Sequence, residues 1–234
     1  MRGRKNDTQT IKGVLMKKMV IFDMDGVIFD SETAMFAEWK LTAAKYGLKD
    51  IEIPYPDCIG ATESRSREIF TAFYGPDFPY EKYSRETNAN FHKKYDNGRL
   101  PLKRGVKELL SYLKENGYLT AIASSSRTDT VKRETADAGL SSFIDKIVGG
   151  DMVGKSKPEP DIFLKAAEGS EVPVSSIYVV EDSFNGIKAA AKAGMIPIMV
   201  PDMLQPNREI EQLAAYIVDD LLQVKRILFE KDQR

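Results

Sequence analysis

Apolar positions along this chain follow two different rhythms, and the change between them divides the sequence. Met19-Val-Ile-Phe-Asp23 is a short apolar run, rich in β-branched residues, that stops at acidic and glycine residues. Such a run suits a strand buried on both faces of a parallel sheet. Over residues 31–47 the period becomes helical: Ala34, Phe36, Trp39 and Ala43 interleave with Glu38 and Lys40, and Gly47 supplies a C-terminal cap. Further helices are expected over 63–74 and 80–97, separated by Gly75-Pro76 and ended by Asn97-Gly98. No strand pattern interrupts this middle stretch.

After Pro101, strand and helix alternate. Helices are expected over 106–116, 128–138, 161–168, 184–193 and 221–229, and strands over 119–123, 143–148, 177–180, 196–200 and near 216–218. Strands alternating with helices make a parallel sheet covered on both faces. The expected fold class is therefore α/β, a Rossmann-like doubly wound parallel sheet whose core residues, 18–30 and 101–234, are separated by a helical insert, 31–100. Residues 1–17 are expected to be a disordered N-terminal extension, with Met16-Lys17-Lys18 as a natural start.

Composition narrows the functions open to such a fold. Lys and Arg total 34 against 35 Asp and Glu, a net charge of -1, which offers no global field for nucleic acid or an anionic membrane surface. No stretch approaches the roughly 20 apolar residues of a membrane span. Cys58 is the only cysteine and His92 the only histidine, so a disulfide framework, a Cys/His zinc cluster and a Cys-Cys redox pair are excluded. The first residues lack the apolar segment of a secretory signal. Cytoplasmic residence is expected, without nucleic-acid or membrane partners and with a monomer as the default.

Parallel sheets bind ligands beyond the carboxyl ends of their strands, and the residues there form a coherent set. The first strand runs into Asp23-Met24-Asp25-Gly26, the second into Ser124-Ser125-Ser126-Arg127, and the strand ending at Val180 into Glu181-Asp182-Ser183. Lys155-Ser156-Lys157-Pro158 lies in a loop entering a helix. Asp23 and Asp25 are two apart and can project on one side of an extended chain; with Asp182 they would form an oxygen-rich pocket suited to Mg2+. Without a cation that clustered charge would be costly.

Beside such a metal Asp23 can attack phosphorus to give an aspartyl-phosphate, with Asp25 as general acid and then general base. Lys157 offers a second positive charge, and Ser124 and nearby backbone N–H groups can donate to the transferring oxygens. Ser125 and Arg127 are further candidates for phosphate contact, against the competing reading of a polar loop and helix cap. His92, beside Lys93 and Lys94, reads as a solvated or partly packed helix residue, Asp30-Ser31 as a hinge and helix cap, and Cys58 as a small packing residue.

These motifs resemble those of the haloacid dehalogenase-like superfamily, in the branch containing β-phosphoglucomutase and related small-molecule phosphatases, and the resemblance spans nearly the whole chain. It implies Asp23 as nucleophile, Asp25 as acid/base that also gives its backbone carbonyl to magnesium, Ser124 as the phosphate-binding hydroxyl and Lys157 as the charge-balancing lysine. It further implies Glu181-Asp182 as the acidic metal-binding pair, Asp182 directly and Glu181 through water, and 31–100 as a cap that closes over the site. A lone Asp-x-Asp-Gly is weak; its place after a buried strand, with the other signals following in order, carries the reading.

The expected reaction is hydrolysis of a small phosphate ester. A mutase of the β-phosphoglucomutase type fits less well, because Met35 stands where that enzyme has a histidine and Gly60-Ala61-Thr62-Glu63 presents an acid where its cap presents an arginine. A dehalogenase fits less well again, since Lys157, Asp25 and Glu181-Asp182 suit a magnesium-bound phosphate. An inactive phospho-metabolite-binding module would be expected to have lost Asp23 or Asp25 first.

Overall fold

Every neighbouring pair of strands is parallel, in the order β3-β2-β1-β4-β5-β6. The strands are β1 (Lys18–Phe22), β2 (Tyr118–Ser124), β3 (Lys146–Gly149), β4 (Ile177–Glu181), β5 (Ile196–Met199) and β6 (Tyr216–Ile217). This computed structural model describes residues 18–59 and 63–233, so the expected extension over 1–17 and Gly60-Ala61-Thr62 lie outside the described residues.

β1 shows why its sequence carries no polar alternation. Successive side chains point to opposite faces, and both faces are covered. Val20 and Phe22 pack with Leu109 and Leu113 of α4 (Val106–Glu115), Val131 of α5 (Thr128–Asp137), and Val224 and Leu228 of α9 (Leu221–Asp232). Met19 and Ile21 pack on the other side with Ile162, Phe163 and Ala166 of α6 (Asp161–Ala167) and Ala189 and Ala190 of α7 (Phe184–Lys192). Each such buried side chain contributes about 1.5–3 kcal/mol, enough to fix the strand whose end carries Asp23.

The helices between β1 and β2 have a core of their own. α1 (Ser31–Lys45), α2 (Glu63–Tyr74) and α3 (Tyr80–Tyr95) meet around Trp39, whose ring centroid lies 4.8 Å from Phe70, 5.2 Å from Tyr83 and 5.5 Å from Tyr55. The Tyr83 hydroxyl donates to the Trp39 carbonyl at 2.6 Å, so the ring is buried with its polar end satisfied. Two linkers join this block to the sheet and run side by side. Asp30 N–H donates to the Pro101 carbonyl at 2.8 Å and Lys103 N–H to that of Ile28 at 2.9 Å, around an antiparallel bridge between Phe29 and Leu102.

Two elements differ from the sequence pattern. The strand expected over 143–148 is only Lys146–Gly149, preceded by a single 3-10 turn at Ser141–Phe143. Asp145 explains this: its carboxylate accepts the Thr120 N–H at 2.7 Å and its own N–H donates to the Thr120 carbonyl, so the chain pairs with β2 only from there on. A short helix, α8 (Arg208–Leu213), was not expected; at six residues it is too short to show a period, and the Asn207 side chain caps it by accepting the Ile210 N–H at 3.0 Å.

Candidate active site

The strand order reverses at the β1–β4 pair, where a doubly wound sheet opens its crevice. Phe22 pairs with Val180, and the Asp23 N–H donates to the Val180 carbonyl at 2.9 Å, which extends the ladder one residue past β1. Backbone pairing alone thus sets Asp23 beside Glu181 and Asp182.

Lys157 ties the two strand ends together. Its ammonium donates to Asp23 Oδ1 at 2.5 Å, Glu181 Oε1 at 2.7 Å and the Ala123 carbonyl at 3.1 Å, so its three donors bridge β1, β4 and β2. Burial works against the charged lysine, but Asp23 and Glu181 outweigh it and its pKa is raised. Glu181 is wholly buried, and its other oxygen accepts from the Ser183 N–H at 2.8 Å and hydroxyl at 2.9 Å. Gly186 leaves room for that carboxylate, since a Cβ there would lie 1.7 Å from Glu181 Oε1.

One oxygen each of Asp23, Glu181 and Asp182 falls within 4.8 Å of the others. Asp182 rests against Gly26, whose φ of +75° and lack of a Cβ both matter, because a Cβ would come within 2.1 Å of Asp182 Oδ2. The carboxyl group of Asp25 is not in that trio, contrary to the pocket expected from two-residue spacing. The extended chain ends at Asp23: the Ile28 and Phe29 N–H groups both return to the Met24 carbonyl, and the turn sends the Asp25 carboxylate to the Ser126 hydroxyl at 3.3 Å.

Ser124 ends β2, fully buried, with its hydroxyl accepting the Ser126 N–H at 3.1 Å. Ser125 and Arg127 have exposed side chains, Arg127 at the N-cap position of α5, and no described contact ties either one to Asp23, Lys157 or Asp182. Ser126 is the residue that sequence reasoning did not separate from its neighbours; its only signal was a third serine after a strand end.

Burial pushes the Asp23 carboxyl up to about 7, with Lys157 pulling back and Glu181 and Asp25 pushing further. Asp182 is raised well above the carboxylate range by burial and then by Glu181, and Asp25 is raised by burial, which outweighs the neighbouring Ser31 and Ser126 hydroxyls and Lys157. Asp23 and Glu181 thus share the ammonium of Lys157, whose charge also reaches Asp182 and Asp25. A divalent cation would offset the excess, and the donors are all hard oxygens of the kind that magnesium or calcium takes. The residues fit such an ion, and Asp23, Asp182 and Glu181 are the groups placed to hold it.

The family model for haloacid dehalogenase-like hydrolases matches residues 20–200. A probable pseudouridine-5'-phosphatase of Drosophila melanogaster is 35% identical over 189 residues, covering 78% of this chain and 80% of that one. The beta-phosphoglucomutase of Bacillus subtilis is 30% identical over 197 residues, covering 78% and 83%. Among solved structures, CbbY from Rhodobacter sphaeroides in complex with phosphate superposes with a TM-score of 0.67 at 26% identity, covering 88% of this chain and 95% of that one. Sheet order, strand-end chemistry and these matches agree, and the chain belongs to the haloacid dehalogenase-like hydrolases.

Proposed function

We propose that the protein is a Mg2+-dependent phosphatase that hydrolyses a small phosphorylated metabolite through an aspartyl-phosphate on Asp23. The observation that carries this reading is the Asp23–Lys157–Glu181 bridge with Asp182 beside it, a buried acidic group that positions one carboxylate and one ammonium at the sheet's crevice.

Asp23, Asp182 and the Asp25 backbone carbonyl, with Glu181 behind them, would hold a magnesium ion, which would supply positive charge to the phosphoryl oxygens. Lys157 fixes the Asp23 carboxylate through Oδ1 and adds its own charge. The Ser124 hydroxyl and the N–H groups that follow it orient the phosphoryl group. Asp23 attacks phosphorus as Asp25 gives its proton to the departing ester oxygen; Asp25 then takes a proton from the water that cleaves the acyl phosphate, freeing Asp23 and inorganic phosphate. The Ser126 hydroxyl holds the Asp25 carboxylate for both steps. The block over 31–100 acts as the cap, turning about the paired linkers to exclude water during transfer.

The test is phosphate release from a panel of phosphorylated metabolites with Mg2+ or with chelator. Turnover is expected with Mg2+ alone and is expected to fall at least about 10⁴-fold in Asp23→Asn, the scale of losing a catalytic nucleophile. Undiminished turnover in that variant would refute the assignment. Efficient conversion of β-glucose 1-phosphate to glucose 6-phosphate with a bisphosphate primer would establish the mutase instead.

A further inference from the structure

Ser124, the last residue of β2, pairs with Gly149 at the end of β3, and the residues that follow on the two strands fold against each other. The Gly150 N–H donates to the Ser126 carbonyl at 2.9 Å. Asp151 Oδ1 accepts from both the N–H and the hydroxyl of Thr128, each at 2.7 Å. Arg127, the N-cap residue of α5, makes no side-chain cap bond, so Asp151 caps that helix from a different segment. The two Thr128 bonds hold the Asp151 carboxyl below the usual carboxylate range, with Arg127 adding to the effect. The glycines before it permit the approach: a Cβ on Gly149 would lie 2.3 Å from the Thr128 nitrogen, and one on Gly150 2.4 Å from the Ser125 carbonyl oxygen. The loop over 124–128 is thus gripped from β3 at Ser126 and at Thr128. Within it the Ser124 hydroxyl accepts the Ser126 N–H, and the Ser126 hydroxyl reaches Asp25 at 3.3 Å.

We infer that Asp151 is a positioning residue for the reaction: its bonds to Thr128 fix the loop so that Ser126 bears on Asp25 and the donors after Ser124 face the phosphoryl group. The inference rests on the phosphatase reading and adds to it a residue that meets neither substrate nor metal. A carboxylate oxygen that takes two donors of one residue restrains both the position and the rotation of the first turn of α5, and charge-assisted bonds of this kind are the strong ones. The reaction is sensitive to that restraint, since a misplacement of about 1 Å can cost 100-fold in rate. Asp151 is itself exposed, so replacing it leaves the core intact.

The experiment measures kcat/KM with Mg2+ for phenyl phosphate and p-nitrophenyl phosphate, whose leaving oxygens differ in their need for the proton of Asp25. Asp151→Ala is expected to lower it about 30-fold on phenyl phosphate and only about threefold on p-nitrophenyl phosphate, the mark of weakened acid catalysis. Asp151→Asn keeps an acceptor oxygen and is expected to restore most of the loss. Because Asp151 acts through Ser126, adding Ser126→Ala to Asp151→Ala is expected to cost phenyl phosphate less than about twofold more. Equal losses on the two esters, an Asn variant no better than Ala, or additive losses would overturn the inference and leave Asp151 a helix cap alone. Calorimetric titration with inorganic phosphate and Mg2+ gives a readout without turnover. Asp151→Ala is expected to weaken phosphate binding about threefold and Asp151→Asn to spare it. If the wild type cleaves neither ester while the titration ranks the variants in this order, only the hydrolase reading fails. Phosphate affinity unchanged in a folded Asp151→Ala overturns this inference and leaves that reading standing.

Discussion

Glu181 uses both carboxylate oxygens inside the protein, one on Lys157 and the other on Ser183, which makes it the anchor of the lysine that in turn holds Asp23. Gly186 keeps the space for it. In Gly186→Ala the new Cβ would fall 1.7 Å from Glu181 Oε1. The carboxylate must move, and kcat is expected to fall about 100-fold, the usual scale for losing one preorganised electrostatic contact. Steady-state kinetics beside a circular-dichroism melt checks this, and unchanged kcat in a folded variant would exclude the anchoring role. Glu134 offers a different residue-level test. Burial first, then Asp25 and Asp96, push it from 4.5 up to about 7, with Arg133 pulling back. The folded state therefore holds its proton more tightly than the unfolded state. Its cost is absent below about pH 4.5 and grows as pH rises toward 7. Glu134→Gln should raise stability on the order of 1 kcal/mol at pH 8 and leave it unchanged at pH 4.5, read as melting temperatures; equal shifts at both pH values would refute this.

At the scale of elements, the two linkers to the helical block are pinned by a partly buried charge group. Lys103 Nζ donates to Asp202 Oδ1 at 2.7 Å and lies 3.5 Å from Asp30 Oδ1, while Asp202 Oδ2 is buried without a partner. Removing the cation leaves a buried acid uncompensated. Lys103→Met is expected to cost about 1–3 kcal/mol, and Lys103→Met with Asp202→Asn to recover most of it, as chemical denaturation of both variants would show. Additive losses would exclude the coupling. None of this pinning was legible in the sequence, since Asp30, Lys103 and Asp202 lie on three separate segments whose meeting depends on the linker pairing and on the end of β5. The strand ends were legible. Asp23 and Glu181-Asp182 each follow an apolar run, and a ladder of parallel strands brings such ends together whatever the loops do. Asp25 escaped the same reasoning because the turn at Gly26 breaks the alternation that relates positions two apart. The missing first half of the strand expected over 143–148 has a similar cause: Phe143 and Ile144 are apolar enough for a strand, but a polar bond between Asp145 and Thr120 decides where pairing starts.

At the scale of the whole molecule, near-neutral net charge conceals a concentrated acidic centre. The chain carries 34 basic and 35 acidic residues, yet Asp23, Glu181 and Asp182 cluster at the strand ends, where the ammonium of Lys157 bonds Asp23 and Glu181. Folding without a cation must bury these carboxylates and hold them together, and the raised pKa values of Asp23 and Asp182 express the burial first and the repulsion between the acids after it. A ligand that binds only the folded state stabilises it by mass action, about 2.7 kcal/mol at 100 times its dissociation constant. For a chain of this size that is a rise in melting temperature of roughly 5–10 °C. The rise is expected with Mg2+ and not with Na+ at equal ionic strength, and EDTA should reverse it. Asp182→Asn separates specific binding from general screening. It removes one of the repelling acids, so its melting temperature at pH 8 without Mg2+ should exceed that of the wild type, while its response to Mg2+ should largely disappear. A wild-type melting temperature indifferent to Mg2+ and EDTA would mean that the acids are balanced by Lys157 and protons alone, and would remove the cation from the proposed reaction.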